Sequence, residues 1–64
     1  MNMKNPKKPP GSPIRVWADY EIWLEPGGEY VNYRTTHGYE ELGRYQELTR
    51  AETAIRWATR TEKE

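Results

Sequence analysis

Hydrophobic and polar residues alternate along the segment 14–25. Apolar residues and one tyrosine occupy its even positions, whereas charged residues and two tryptophans occupy its odd positions. Because the side chains of a strand point alternately to its two faces, this period of two predicts a half-buried β-strand with the even positions inside. Twelve residues is long for one strand, so we expect a bend or bulge near Ala18–Asp19.

Two turn sequences predict two further strands. EPGG at 25–28 fits a type II turn, in which the proline presets φ at the second position and Gly27 tolerates a positive φ at the third. THG at 36–38 predicts the second turn, with Gly38 suited to a left-handed position. The two strands are predicted at about 29–35 and about 39–46.

The clearest local signal is that of a C-terminal helix. The sequence 49–52 matches a capping box, in which Thr49 and Glu52 satisfy free backbone amides reciprocally. Small and aliphatic residues then recur on one side of a helical wheel: Leu48, Ala51, Ala54, Ile55 and Ala58. The spacing predicts a helix over about 50–62 whose apolar side packs on the sheet.

The fold class expected from these elements is α+β. A three-stranded antiparallel β-meander packs against one C-terminal α-helix, and a disordered basic, proline-rich tail precedes it. Residues 1–13 form this flexible tail, because four prolines remove backbone donors and no apolar period is present. Residues 14–64 form a single small ββ(β)α domain, since 64 residues allow one domain at most.

The charges are sorted by position. Residues 1–15 carry four basic residues and no acid, so their net charge is +4. Residues 16–64 carry six basic residues against ten acids, so their net charge is −4. Cysteine is absent, which fits a reducing compartment. No apolar run approaches about 20 residues, the length that spans a bilayer, and the tail lacks the apolar region of a signal peptide. We expect a cytoplasmic protein without membrane contact.

The sequence offers little for catalysis. His37 is the single histidine and Ser12 the single serine, and Ser12 lies in the predicted tail with no base to activate it. Glu40 and Glu41 follow His37 closely, but three ligands in a solvated turn make a poor metal site. We therefore expect no enzyme, no catalytic or metal site and no cofactor, and we interpret His37 as a turn residue.

The tryptophans are the candidate binding residues. Trp17 and Trp23 fall on the acidic strand face and Trp57 on the arginine side of the helix, so all three lie off the predicted core. Exposed tryptophans anchor protein interfaces and stack on nucleic-acid bases. The predicted partner-binding set is Trp17, Trp23, Glu21, Tyr30 and Trp57. The alternative is a local error of register, in which a bulge turns Trp17 or Trp23 inward, or a fold in which the rings lie over a thin sheet and complete the core.

The basic residues support a second hypothesis, contact with nucleic acid. Lysines of the tail and arginines of the helix would lie along phosphates, which adds a salt-dependent term to the affinity. A solubilising tail and a solvated helix face are the alternatives. The candidate contacts are Lys4, Lys7, Lys8, Arg15, Arg56, Arg60 and Lys63.

LGRY at 42–45, followed by the alanine-rich helix, resembles two groups of small DNA-binding domains. These are the arm-site-binding domains of phage integrases and the AP2-like domains, and the resemblance covers residues 14–60 in outline. It implies a sheet of three strands with one helix, DNA contact, and a basic tail that enters a groove. Those families read DNA with a basic sheet, whereas the predicted sheet here carries six acids against two arginines.

Two functions are therefore expected. The first is a small non-enzymatic regulatory or inhibitory protein, of a kind that phages and mobile elements encode, that binds a host protein through an aromatic and acidic sheet surface. Its partner would present a basic surface, such as one that handles nucleic acid. The second is a DNA-binding module that uses the tail and the helix arginines. A monomer or a weak dimer paired edge to edge is expected.

Overall fold

The computed structural model describes residues 8–63 as one antiparallel sheet and one helix. The sheet has four strands in chain order, β1 (Ser12–Val16), β2 (Tyr20–Leu24), β3 (Tyr30–Arg34) and β4 (Glu40–Tyr45), and the helix α1 spans Leu48–Lys63. The α+β class is confirmed. The predicted count of three strands is wrong, because the segment 14–25 folds into two. Ser12 and Pro13, predicted as tail, belong to β1, and residues 1–7 of that tail lie outside the described residues.

A tight turn at Ala18–Asp19 joins β1 to β2. The Trp17 amide donates to the Tyr20 carbonyl at 2.8 Å, and the Thr35 amide of the next loop donates to the Asp19 carbonyl at 2.9 Å. Positive φ angles in the described chain belong to glycines alone, so this turn lacks the left-handed residues by which most two-residue hairpin loops are recognised. The expected bend is therefore a full reversal of the chain.

A bulge decides which side chains of β1 face the helix. Arg15 pairs with Ile22 but Pro13 pairs with Trp23, so Ile14 is an extra residue in the strand. A bulge of this kind disturbs the alternation of side chains. Ile14 packs against the core under α1, and the neighbouring Arg15 also contacts α1. The predicted alternation therefore gives the correct positions for Tyr20 and Ile22 of β2, whereas Leu24 at the end of β2 is exposed and the alternation fails along β1.

The turn between β2 and β3 has a different geometry from the predicted one. The Gly28 amide donates to the Glu25 carbonyl, and the Glu25 amide to the Glu29 carbonyl, each at 2.9 Å. The positive φ of 96° belongs to Gly28, not to Gly27. This is the pattern of a three-residue hairpin loop, in which a left-handed glycine follows the turn and returns the chain to the ladder.

The helix α1 begins earlier than predicted. Leu48 is its first residue, and the Glu47 carbonyl accepts the first amide hydrogens at 3.2 Å. Thr49 therefore lies within the first turn, and the predicted capping box is wrong. Glu52 accepts a hydrogen bond from Arg15 Nε at 2.9 Å, so its carboxylate ties α1 to β1.

One face of the sheet, here called the inner face, is covered by α1. Tyr20 and Ile22 of β2 are buried there against Ala51 and Ile55 of α1. The apolar side of the predicted helix is thus confirmed. Partly buried residues complete this core: Ile14, Tyr30, Tyr45, Leu48 and Ala58.

Asn32 is the buried polar residue of the inner face within residues 8–61. Its Nδ2 donates to the Ala51 carbonyl at 3.0 Å, from β3 to α1. Its Oδ1 has no hydrogen-bond partner among the described residues. An unsatisfied buried acceptor costs about 1–3 kcal/mol. The bond to Ala51 nevertheless holds the helix at one position along the sheet.

Both edges of the sheet are irregular. The edge strand β1 contains Pro13 and the bulge at Ile14, and the edge strand β4 has an extra residue at Leu42. Proline and bulges interrupt the row of donors and acceptors that another strand would need. Both edges therefore offer a further strand fewer regularly spaced donors and acceptors.

We expect Gly11→Ala to destabilise the protein and Gly27→Ala to leave it nearly unchanged. Gly11 has a φ of +106°, and a Cβ there would overlap with the Leu24 carbonyl oxygen. An added Cβ at Gly27 meets nothing within 4 Å. A strained left-handed residue costs about 1–3 kcal/mol, so thermal unfolding by circular dichroism should show a lower Tm for Gly11→Ala alone. Equal Tm values for the two variants would contradict the close approach of Gly11 to β2.

Candidate interaction surfaces

The outer face of the sheet, opposite α1, carries a second buried cluster. Trp23 of β2 is buried there with Val31 and Tyr33 of β3, and Tyr39 packs beside them. The ring centroids are 6.5 Å apart for Trp23 and Tyr33 and 5.9 Å apart for the other two pairs, with interplanar angles of 85° to 88°. This edge-to-face arrangement is one that aromatic rings prefer. We call these four residues the outer cluster.

The expected exposure of Trp23 is wrong. Its side chain is 4% exposed, and its Nε1 donates to Glu21 Oε1 at 2.8 Å. Trp23 does lie on the face that the alternation predicted, but Tyr33 and Tyr39 cover it there. Tyr30 is half-buried against the inner core. The structure therefore uses Trp23, Glu21 and Tyr30 for internal contacts.

Carboxylates and one arginine lie together beside the outer cluster. Arg44 Nη1 donates to Glu25 at 2.7 Å and to Glu29 at 3.2 Å, and its Nε donates to Glu41 at 2.9 Å. The hydrogen bonds that Arg44 donates to Glu25 and Glu41 raise the pKa of its guanidinium above the ordinary value. Three carboxylates against one guanidinium leave two negative charges in excess. This edge of the outer face is therefore anionic, and the group is too exposed to contribute much stability.

Trp17 lies at the β1–β2 turn and is 40% exposed, in agreement with the expected exposure. It lines a groove of about 250 Å³ between this turn and the helix α1. The helix contributes Glu52, Ile55, Arg56 and Thr59 to the groove. One indole face is thus available beside a short stretch of α1.

Trp57 is 60% exposed on α1, also as expected. Arg60 lies one turn further along, with its Cζ 5.5 Å from the centroid of the indole ring, which is a cation–π distance. A groove of about 400 Å³ opens on the flank of the helix away from Trp17. Its lining consists of Arg34, Ala54, Trp57, Ala58 and Thr61.

Four residues connect the two grooves across the outward side of α1. They are Trp17, Arg56, Trp57 and Arg60, and we call them the Trp–Arg surface. Arg56 belongs to the first groove and is the chain neighbour of Trp57 in the second. Tryptophan and arginine are the residue types most often found at the energetic centres of protein interfaces. The arrangement thus concentrates suitable anchors on one side of the molecule.

The arginines differ in what they contact. Arg15 is paired with Glu52 at 2.9 Å, and Arg50 with Glu47 at 3.5 Å. Within the part of the chain that the structure describes, Arg56 and Arg60 have no carboxylate at ion-pair distance. The described carboxylates therefore do not neutralise the two arginines of the Trp–Arg surface.

The remaining candidates for phosphate contact are only partly located. Lys8 is exposed ahead of β1. Lys4 and Lys7 lie outside the described residues, as does the side chain of Lys63. Arg15, the basic candidate in β1, approaches α1 through its ion pair with Glu52. The structure thus brings Arg56 and Arg60 together on one side of α1. The charge of Arg15 is instead paired with Glu52.

The described residues offer no assembled site for a metal ion. Between residues 8 and 61, no group of three or more histidine or carboxylate side chains is placed to hold one. His37 is exposed in the loop before β4.

Within the same part of the chain, no helix is both long and apolar enough to cross a membrane. No protein family model, curated protein or solved structure matches this chain.

Sequence analysis missed the residues that close the outer face. Val31 and Tyr33 alternate with Tyr30 and Asn32 in the sequence, which places the first two on one face. That alternation alone does not say whether their face is the one that holds Trp23. The missing information was the pairing of Trp23 with Val31, which sets the register between β2 and β3.

We expect Trp23→Ala to unfold or strongly destabilise the protein and Trp17→Ala to have a small effect. Removing a buried tryptophan side chain costs about 3–5 kcal/mol, which is comparable to the whole stability of a domain of this size. Trp17 is exposed at a turn, and a substitution there usually changes stability by about 0.5 kcal/mol or less. Urea unfolding followed by far-ultraviolet circular dichroism measures both. Equal losses for the two variants would contradict the assignment of Trp23 to the outer cluster.

We expect the protein to lose stability above pH 10 through Tyr33. Burial, followed by the charges of Glu41 and Glu25, raises the pKa of the Tyr33 hydroxyl above its ordinary value of 10.0, although Arg44 opposes this. The unfolded chain then releases the Tyr33 proton at a lower pH than the folded chain does. The stability that Tyr33 contributes is therefore complete below pH 10, and it is lost as the pH rises toward the pKa of Tyr33 in the folded protein.

Tyr33→Phe provides the comparison for this test. The variant cannot ionise at this position. Between pH 9 and pH 11, the urea midpoint of the parent should therefore fall relative to that of the variant. Glu41→Gln removes one cause of the raised pKa and should reduce that change. A difference that is constant across this range would show that the Tyr33 hydroxyl is not held neutral by its surroundings.

Proposed function

We propose that the protein is a non-enzymatic interaction module that binds another protein through the Trp–Arg surface. The supporting observation is the exposure of Trp17 and Trp57 on either side of one helical segment. Arg56 and Arg60 lie on its outward side, and neither has a carboxylate at ion-pair distance among the described residues. The chain has few large apolar residues, and the exposure of both rings reduces the apolar area that it can bury in its core. A binding role accounts for that exposure.

The surface proposed here differs from the sheet surface expected from the sequence. The rings of the outer cluster are buried, so that face offers a partner chiefly its acidic groups. The outer face is anionic and the Trp–Arg surface is cationic, and the two lie on opposite sides of the molecule. Such separated charges orient an approaching partner and suppress contact in the wrong orientation. A regulatory or inhibitory role, and an origin in a phage or mobile element, are part of the proposal.

A DNA-binding module of the kind implied by the resemblance has less support. Its sheet would have to approach phosphates with the face that carries Glu21, Glu25, Glu29 and Glu41. Repulsion between these carboxylates and the DNA backbone opposes that approach. We therefore place the interaction on α1 and on the β1–β2 turn.

Affinity capture tests the proposal. The immobilised full chain should retain a protein from a lysate of the encoding organism or its host, and the double variant Trp17→Ala/Trp57→Ala should lose it. Glu29→Gln, an exposed change on the outer face, is the matched control and should retain it. Nuclease treatment should not release the captured protein. Capture that disappears with nuclease, or that survives in the double variant, would overturn the proposal.

A further inference from the structure

We infer that the groove beside Trp57 receives a large apolar side chain from an acidic segment of the partner protein. This inference depends on the proposed function and specifies the partner's chemistry. It comes from two independent observations, the shape of the groove and the charge of the helix surface next to it.

The shape of the groove follows from two small residues. Ala54 and Ala58 lie one helical turn apart on α1 and leave an open space between the indole of Trp57 and Arg34 of β3. Thr61 borders the same space, whose volume is about 400 Å³. The space is a shallow, open depression, so a phenylalanine or leucine side chain would lie across the two alanines and against the indole rather than be enclosed. The methyl and indole surfaces of the groove offer apolar contact, while the polar groups lie at the border.

The charge next to the groove selects the residues that flank the inserted side chain. Arg60 lies over the indole ring at 5.5 Å, and Arg56 is its neighbour on the outward side of the helix. Neither has a carboxylate partner among the described residues, as shown above. Arg34 contributes less, because its Nη2 contacts the Tyr20 hydroxyl at 3.5 Å and it lies opposite Glu40 in the sheet. Aspartate or glutamate residues of a partner would therefore pair with Arg56 and Arg60.

The groove beside Trp17 is the less suitable of the two. It is smaller, about 250 Å³, and its lining includes both Arg56 and the carboxylate of Glu52, which pairs with Arg15 at 2.9 Å. We therefore assign the inserted side chain to the larger groove beside Trp57, where Arg60 lies against the indole ring.

Single-stranded nucleic acid is the other polyanion that an exposed indole and arginines can bind. Its affinity depends mainly on the number of phosphates neutralised. Arg56 and Arg60, which have no carboxylate at ion-pair distance among the described residues, would by themselves give a salt slope of only about −1.4 for a single strand. The acidic outer face further lowers the attraction for a long polyanion. A short acidic peptide with one apolar anchor uses both the charges and the groove, so the observations favour it.

Four labelled probes test the inference on the full chain. The first is a synthetic peptide of glutamates around one phenylalanine, the second has alanine in place of phenylalanine, and the third has lysines in place of the glutamates. Oligothymidine is the fourth. We expect the first peptide to bind and to shift the backbone NMR signals of Ala54, Ala58 and Thr61. The alanine peptide should bind at least about tenfold more weakly, a difference of about 1.4 kcal/mol. The lysine peptide should not bind.

Variants locate the site. Ala54→Leu fills the groove with a good helix former and should abolish binding of the phenylalanine peptide, and Arg60→Gln should weaken it. Gly27→Ala, in the β2–β3 turn and away from this groove, is the control and should bind as the parent does. Circular dichroism establishes that each variant is folded.

Several results would overturn the inference. The first is equal binding of the phenylalanine and alanine peptides, and the second is unchanged binding of the phenylalanine peptide by Ala54→Leu. The third is binding of oligothymidine without binding of the acidic peptide, a result that would assign the surface to nucleic acid. Failure of the peptides while tryptophan-dependent protein capture persists would reject this inference and leave the proposed function standing. Loss of that capture as well would reject both.

Discussion

A four-stranded sheet with a single helix has one face that no other element covers, and this constraint shapes the whole molecule. The inner face is buried by α1 in the ordinary way. The outer face has to exclude water with its own side chains, and it does so with three rings in edge-to-face contact above Val31. Aromatic residues suit this role, because each ring removes a large apolar area from water with few rotatable bonds. A chain of 64 residues thus obtains two small cores from one sheet.

The need for that second core determines which rings are available for binding. Trp23, Tyr33 and Tyr39 are used on the outer face, and Tyr20 is used on the inner face. Trp17 and Trp57 contribute to neither buried cluster. The charges follow a similar division, with an excess of carboxylates beside the outer cluster and, on α1, Arg56 and Arg60 without a carboxylate at ion-pair distance among the described residues. The two proposed anchors, Trp17 and Trp57, lie outside both cores, so we expect that each can be changed with little loss of stability.

Much of the fold was accessible from local patterns. The helix, the two later strands and the inward direction of Tyr20 and Ile22 follow from periodicities of 3.6 and two, and glycine and proline mark two of the turns. The first hairpin was missed because Ala18–Asp19 reverses the chain without glycine or asparagine. The capping box failed because Leu48, which is apolar, enters the helix to reach the core. In each case packing between distant segments outweighed the local signal.

The sequence by itself determined the class of the fold and the apolar side of the helix, since these depend on neighbours one turn or one strand position away. Only the tertiary structure decided the burial of Trp23, the position of Arg44 among three carboxylates, and the groove between Trp57 and Arg34. The physical reason is that these features join side chains from different strands and from the helix. Their contacts depend on strand register, on a bulge at Ile14 and on the position of α1 over the sheet, and none of these is encoded in any single segment.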